Sequence, residues 1–236
     1  MRLRADVSPS RTTLTVATVL VAANVALFVA IAEDVLDGGG LISHDEAVLQ
    51  WFVDLRATWM ITAARVVSAI GSFTSLLLIS VVLGWWLWRQ GARLAVAVAP
   101  AMSLAVAGLS ASIAKAIFDR PRPPASLQAT HVAAAAFPSG HAADAAGFFI
   151  AASIVLALTL HEHASIQALL VVFGVVCAAL VGLSRLLLGV HWLSDVVAGW
   201  ALGAAIALTV AVTAWRQTAP RPDSDVVRSR RQRCPN

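Results

Sequence analysis

The sequence predicts an all-α membrane protein, a polytopic bundle of six transmembrane helices with one interfacial helix between the first two spans. Two observations support this fold class. The chain of 236 residues is 59% hydrophobic and only 13% charged, with a mean hydropathy of +0.80, whereas soluble domains are about 25% charged. Its apolar residues also form segments of about 20 residues, the length that crosses a bilayer as a helix. No room remains for a second, soluble domain.

More polar segments separate the six predicted spans. The spans cover residues 14–32, 72–88, 94–118, 142–160, 164–183 and 192–215. The first span also resembles a secretory signal peptide, because arginines precede it and small residues follow it. Its apolar run exceeds the roughly 7 to 15 residues of a signal-peptide core, so we expect a retained helix.

Residues 44–65, between the first two spans, have mixed polarity. Trp51 and Trp59 stand here among apolar and charged residues. Such a composition is typical of a helix that lies at the membrane interface. We expect this helix to lead into the second span through Gly71.

The arginines predict the orientation of the bundle. Six spans put both termini on one side, which then holds eleven of the 17 basic residues: Arg2, Arg4, Arg11, Arg89, Arg93, Arg216, Arg221, Arg228, Arg230, Arg231 and Arg233. The positive-inside rule makes that side cytoplasmic. Residues 1–13 are then a cytoplasmic N-terminal segment, residues 14–215 the membrane domain, and residues 216–236 a disordered basic cytoplasmic tail.

Charge and cysteine content exclude two other classes of protein. The net charge of +4 and the pI near 10.4 could indicate nucleic-acid binding, but the arginines flank the apolar segments, and we expect no nucleic-acid partner. The two cysteines, Cys177 and Cys234, form no CxxC pattern. The sequence therefore indicates neither a disulfide nor a zinc framework.

The predicted topology brings three polar clusters to the external side. The first, KAIFDRPRPP at residues 115–124, contains Lys115, the only lysine of the chain, together with Arg120 and Arg122. The prolines end the helix here, so these cations gather near one helix end. They could hold an anion through charge-assisted hydrogen bonds. Snorkelling to lipid headgroups is the alternative.

The second cluster, FPSGH, covers residues 137–141. Pro138 and Gly140 shape a turn, and Ser139 is a candidate N-cap for the apolar helix that follows. The start of a helix offers unpaired N–H groups that favour a bound phosphate, and His141 can reach the same anion. A capped helix start without a ligand is the alternative. Asp144, one turn later, has no predicted role.

The third cluster, SRLLLGVHWLSD, covers residues 184–195. His191 and Asp195 share one face if the last helix starts near His191. A carboxylate on one imidazole nitrogen fixes the tautomer and leaves the other nitrogen free as a nucleophile. Arg185 joins Lys115 and Arg122 as the third candidate anion-binding cation. Together, three cations, a helix start and two histidines fit phosphoryl transfer.

These residues form three patterns. They read K(x6)RP at 115–123, PSGH at 138–141 and SR(x5)H(x3)D at 184–195. All three resemble, in order and without departure, the signatures of the type 2 phosphatidic acid phosphatase superfamily. This superfamily, also called the lipid phosphate phosphatases, shares its site with bacterial acid phosphatases and vanadium haloperoxidases. The resemblance covers residues 115–215, and the first two spans only through hydropathy.

The resemblance implies a role for each residue. His191 would attack phosphorus and form a phosphohistidine, with Asp195 orienting it. His141 would protonate the leaving oxygen and then activate water. The phosphoryl oxygens would be held by Lys115, Arg122, Ser139, Gly140 (through its backbone N–H) and Arg185. We expect no cofactor and no metal, because the cations take the place of a metal ion.

The expected function is that of an integral membrane phosphatase acting at the external face. Its substrate would be a lipid phosphate or diphosphate, for example undecaprenyl diphosphate, phosphatidylglycerol phosphate or phosphatidate, and its other partners would be membrane lipids. The alternatives are a lipid phosphotransferase, a vanadate-dependent haloperoxidase-like enzyme, and a non-catalytic lipid-binding or transport protein. The sequence selects neither the lipid nor the oligomeric state.

Overall fold

The computed structural model describes residues 10–160 and 163–217, which are helical with no strand. In chain order the helices are α1 (Arg11–Asp37), α2 (Asp45–Asp54), α3 (Thr58–Ile70), α4 (Phe73–Arg89), α5 (Leu94–Phe118), α6 (Gly140–Leu160), α7 (Ala164–Leu187) and α8 (Leu193–Arg216). Short 3-10 helices cover Gly40–His44 and Ala125–Leu127. The predicted all-α fold class is confirmed.

The helices also confirm a multi-pass membrane protein. Within the described ranges, α1, α5, α6, α7 and α8 are each long and apolar enough to cross a bilayer. The pair α3 and α4 meets the same criterion only when taken together, with a bend of 51° between its two helices. The total is therefore five spans, or six if the bent pair counts as one.

The segment predicted as one interfacial helix contains a break. Helix α2 ends at Asp54 and α3 begins at Thr58. Between them, the side chain of Arg56 extends away to donate hydrogen bonds to the carbonyls of Leu187 and Leu127, both at 2.7 Å. These distant partners cannot be read from the local pattern of polarity. As predicted, α3 leads to the second span through Gly71, after which Ser72 caps α4.

Helix α6 occupies the centre of the bundle. It packs against α5, α7 and α8, and the side chains of its alanines 142, 143, 145, 146 and 151 are at most 1% exposed. Small residues permit this close approach, as is common between membrane helices. A Cβ atom at Gly203 of α8 would lie only 2.3 Å from the carbonyl oxygen of Ala143.

Polar residues collect at the end of the bundle where α5 and α7 finish and α6 and α8 begin. At that end the N–H of Ser139, just before α6, donates to the carbonyl of Asp195 in the first turn of α8, at 2.9 Å. At the other end, Arg93 before α5 donates to the carbonyl of Gln217 after α8, at 2.5 Å. The predicted N-terminal segment and basic tail lie almost entirely outside the described residues.

Candidate active site

The three polar clusters meet at the end of the bundle where α5 and α7 finish and α6 and α8 begin. Phe137, which precedes the second cluster, is fully buried and packs against Phe28 of α1 and Phe118 of α5, with ring centroids 5.9 and 5.0 Å away. This aromatic cluster anchors the loop that carries residues 138–141. The eight predicted site residues lie around one centre at this end: Lys115, Arg122, Ser139, Gly140, His141, Arg185, His191 and Asp195.

His191 is held between a carboxylate and a guanidinium. Its Nδ1 lies 3.3 Å from Oδ2 of Asp195, and its Nε2 lies 3.1 Å from Nη1 of Arg122. Because a guanidinium only donates hydrogen bonds, Nε2 must accept. The imidazole proton is thereby assigned to Nδ1, which donates to Asp195. This arrangement leaves the lone pair of Nε2 on the side of the cations.

The electrostatic surroundings keep His191 uncharged. Its side chain is 2% exposed, and this burial lowers its pKa well below 6.5. The positive charges of Arg122, Lys115 and Arg185 lower the pKa further. Both effects disfavour the imidazolium form. A neutral imidazole, whose Nε2 lone pair carries no proton, is the form that can act as a nucleophile.

Three cations surround this histidine. Lys115, in the last turn of α5, donates to the carbonyls of Ala135 and Ala136 at 2.6 and 3.2 Å. Arg122 donates to the carbonyls of Ala134 and Ala135, and to that of Val190 at 2.5 Å. Burial lowers the pKa of Arg122 from its ordinary value, yet a guanidinium stays charged in proteins. The backbone of the loop before α6 thus holds two cations beside Nε2.

Arg185 is the third cation and is buried in α7. It donates a hydrogen bond to the hydroxyl of Ser68 on α3, while its buried Nε has no partner among the described residues. Arg185 and His141 both line an open cavity of about 420 Å³ between α3 and α7, together with Arg65, Ser68, Ala69, Ser72, Ala129, Thr130 and Leu188. This cavity leads from the surface to the site.

The start of α6 has the features expected of an anion site. The carbonyl of Ser139 accepts the first helical hydrogen bond, from the N–H of Ala143 at 3.0 Å. Its hydroxyl is fully buried and has no partner within the described ranges, so it does not form the expected capping bond. A Cβ atom on Gly140 would meet only Lys115 Cε, at 3.8 Å. The start of α6 therefore has an unpaired hydroxyl and room for a small group beside Lys115.

His141 follows in the first turn of α6. It lies within electrostatic range of Arg185, His191, Arg122 and Lys115. Asp144, one turn further along, is buried, and its Oδ1 has no partner in the part of the chain that is described. Among the described residues no hydrogen bond or ion pair joins Asp144 to His141, and the sequence assigned Asp144 no role.

Two site residues escaped the sequence analysis. Arg120, noted only as a nearby cation, donates to Asp195 at 2.6 Å and to Asp45 at 2.7 Å. Asp45 begins α2, 75 residues away from Arg120 along the chain. An isolated aspartate in an interfacial segment carries no signal of such a distant pairing. In residues 10–160 and 163–217 there is no group of three His, Cys, Asp or Glu side chains that could hold a metal ion.

Comparison with known proteins identifies similar chains. The PAP2 superfamily profile matches residues 96–219, more than half of the chain. Phosphatidylglycerophosphatase B of Bacillus subtilis (strain 168) is 27% identical over 182 residues, which are 75% of this chain and 86% of that protein.

Two crystal structures have a similar fold. One is the transmembrane PAP2 type phosphatidylglycerolphosphate phosphatase from Bacillus subtilis, with a TM-score of 0.74 and 24% identity over 85% of this chain and 98% of that chain. The other is Aquifex aeolicus LpxE, with a TM-score of 0.55 and 22% identity over 70% and 93% of the two chains.

Proposed function

Because the chain belongs to the PAP2 superfamily and is a membrane phosphatase, we propose that it removes phosphate from a membrane lipid through a phosphohistidine at His191. The observation that carries this proposal is the position of His191. One imidazole nitrogen faces Asp195, and the other faces Arg122 within a group of cations. A site that only bound anions would need the cations but would not need an oriented nucleophile.

The first chemical step forms the covalent intermediate. The lone pair of His191 Nε2 attacks phosphorus, and the bond between phosphorus and the lipid oxygen breaks. His141 donates a proton to that oxygen, so the dephosphorylated lipid leaves as a neutral alcohol when the substrate is a monoester. Asp195 stabilises the positive charge on the imidazole through Nδ1–H.

The second step releases phosphate. His141, now neutral, takes a proton from water, and the resulting hydroxide oxygen attacks phosphorus. The bond between Nε2 and phosphorus breaks, and the electron pair returns to the imidazole. The sum of both steps is the hydrolysis of one phosphate ester by one water molecule.

Phosphate binding would change the partners of the cations. Lys115 and Arg122 donate to uncharged backbone carbonyls, and hydrogen bonds to a phosphoryl oxygen are stronger because both partners are charged. Arg185 Nε and the Ser139 hydroxyl would gain the partners that they lack among the described residues. The N–H of Gly140 would complete the set of donors.

A lipid substrate is supported by where the site lies. The site and its cavity are at the ends of membrane-spanning helices, where the phosphate of a lipid headgroup is found. The similarity to phosphatidylglycerophosphatase B makes phosphatidylglycerol phosphate the first candidate substrate. Undecaprenyl diphosphate and phosphatidate present the same chemical group at the same depth.

The orientation is also a proposal. Arg89, Arg93 and Arg216 lie at the bundle end opposite the site. With the other arginines near the termini, they favour a cytoplasmic location for that end. The active site would then face the external side, with both termini in the cytoplasm.

Phosphate release by the purified, detergent-solubilised protein tests the function. The substrates are phosphatidylglycerol phosphate, undecaprenyl diphosphate and phosphatidate, each assayed with a chelator present. We expect hydrolysis of at least one, unaffected by the chelator and reduced at least about 1,000-fold in His191→Ala. His163→Ala is the matched control, because His163 is exposed at the start of α7. Activity that survives in His191→Ala, or that the chelator abolishes, would contradict the mechanism.

A further inference from the structure

We propose that Arg120 and Asp45 are positioning residues that hold the carboxylate of Asp195 in the orientation that His191 requires. This inference rests on the proposed role of His191 as the nucleophile. It extends the active site to helix α2, which lies outside the part of the chain that the PAP2 superfamily profile matches, residues 96–219. Neither residue would touch the substrate.

The contacts of Asp195 divide between its two oxygens. Oδ2 accepts from the N–H of Trp192 at 2.9 Å and lies 3.3 Å from Nδ1 of His191. Oδ1 accepts from Nη1 of Arg120 at 2.6 Å. Because Arg120 binds the oxygen that His191 does not use, it prevents the carboxylate from rotating about its last bond. The direction of Oδ2, and with it the tilt of the imidazole, is thereby fixed.

Asp45 fixes Arg120 in turn. The second guanidinium nitrogen, Nη2, donates to Asp45 Oδ2 at 2.7 Å. Asp45 itself accepts from Ser194, both from the N–H at 2.9 Å and from the hydroxyl at 2.5 Å. The Ser194 hydroxyl also accepts from Arg120 Nη1 at 2.8 Å. The network closes on itself, joining α2, the loop after α5 and the first turn of α8.

The aromatic ring of Trp192 covers the same arginine. The guanidinium carbon of Arg120 lies 5.8 Å from the ring centroid, a distance at which a cation is attracted to an aromatic face. The indole N–H donates to the carbonyl of Pro121 at 2.9 Å. Arg120 is thus held by two carboxylates, one hydroxyl and one ring, with its side chain 11% exposed.

The charges of the network favour a role in catalysis over one in stability alone. The side chains of Asp45 and Asp195 are 4% and 0% exposed, and buried ion pairs contribute little net stability because desolvation offsets their attraction. The positive charge of Arg120, which donates to Oδ1, disfavours transfer of the Nδ1 proton to Asp195. The imidazole therefore keeps that proton while Nε2 attacks phosphorus.

Steady-state kinetics of Asp45→Asn and Arg120→Gln test the proposal. We expect kcat to fall about tenfold in Asp45→Asn and up to about 100-fold in Arg120→Gln, the range for residues that orient a catalytic group. KM should change less than about threefold, because neither side chain contacts the phosphate. Arg120→Lys, which keeps the charge, should recover part of kcat.

Double variants separate positioning from a structural role. If Asp45 acts through Arg120, adding Asp45→Asn to Arg120→Gln should lower kcat by less than about threefold. If Arg120 acts through Asp195, Arg120→Gln should have a similarly small effect in an Asp195→Ala background. Arg56→Ala is the matched control. Arg56 is another arginine that tethers loops at this end, and its effect should be the same in both backgrounds.

Melting temperatures in detergent accompany each assay. Folded Arg120→Gln with wild-type kcat, or losses that multiply in the double variants, would overturn the proposal. If Arg120→Gln does not fold, the nearly isosteric Asp45→Asn decides the question by its kcat alone. The proposed function is tested separately, because normal activity in His191→Ala would contradict the nucleophile whatever the Arg120 and Asp45 variants show.

Discussion

At the scale of single residues, the site combines satisfied and unsatisfied polar groups. The imidazole of His191 has a partner on each nitrogen, so its orientation exists before any substrate arrives. The Ser139 hydroxyl and Arg185 Nε are buried without partners in the described ranges. A buried donor without a partner costs about 1 to 3 kcal/mol. Binding of a phosphoryl group would recover that free energy.

Gly140 gives a prediction at this scale. Its substitution by alanine leaves room for the new methyl group, which would meet only Lys115 Cε at 3.8 Å. The fold should therefore tolerate Gly140→Ala, with a melting temperature within about 3 °C of the wild type. The methyl group would however occupy the space beside the N–H that we assign to a phosphoryl oxygen. We expect kcat/KM to fall at least about tenfold, and wild-type kcat/KM would contradict that assignment.

The pH dependence of stability gives a second residue-scale prediction. Histidine titrates near pH 6.5 in an unfolded chain, whereas burial and nearby cations hold the pKa of His191 well below that value in the folded protein. Below pH 6.5 the unfolded state therefore binds a proton that the folded state does not. The free energy of unfolding should fall as pH decreases, by up to about 2 kcal/mol at pH 5 from this group.

Thermal unfolding between pH 7 and 5 measures this effect. His191→Gln removes the titrating group, so its melting temperature should decrease less over this range than that of the wild type. His163→Ala removes a histidine that is exposed and should keep the wild-type slope. Equal slopes for the wild type and His191→Gln would contradict this, because they would show that His191 binds its proton as readily in the folded protein as in the unfolded chain.

The sequence predicted these residues unevenly. The motif residues were found because each cluster holds charged groups at the end of an apolar segment, where they are costly and therefore noticeable. The structure brings them together, while their catalytic roles stay predictions. Arg120 and Asp45 were missed as partners because their contact joins positions 75 residues apart. No periodicity or local spacing encodes a contact of that kind.

At the scale of helices, the sequence predicted one boundary set correctly and missed another. The sequence predicted the 94–118 span as the structure has it, because apolar length alone defines such a helix. It did not predict the break between α2 and α3, which depends on Arg56 reaching the ends of other elements. Tertiary contacts, rather than local propensity, set that boundary.

Gly203 tests the importance of the contact between α6 and α8. A side chain there would press on the carbonyl oxygen of Ala143, only 2.3 Å from an added Cβ. Gly203→Val should therefore separate the two helices and displace Asp195 from the start of α6. We expect about 1 to 3 kcal/mol of destabilisation and loss of most activity.

Gly39→Val is the control, because nothing lies within 4 Å of a Cβ at Gly39. Its melting temperature and activity should match those of the wild type. A Gly203→Val protein as stable and active as the wild type would show that the close contact is not needed.

At the scale of the whole molecule, the orientation of the bundle determines which side of the membrane the site faces. The site lies at one end of the bundle, and the Arg93 to Gln217 contact lies at the other. A cysteine at Ser126, in the 3-10 helix near the site, should react with a membrane-impermeant maleimide added outside intact cells, provided that Cys177 and Cys234 are first replaced by serine. A cysteine at Gln90 should react only after lysis. The reverse pattern would contradict the external site.

The central claim is that phosphate passes through His191, and trapping the intermediate tests it most directly. His141→Ala should slow hydrolysis of the phosphoenzyme, whereas its formation needs no proton when the leaving group is itself a phosphate, so a lipid diphosphate carrying ³²P in its terminal phosphate should label the protein. The account predicts a label that is stable in alkali, is lost in acid and maps to the peptide containing His191. A label on Ser139, or turnover by the wild type with no phosphoenzyme in either protein, would contradict it.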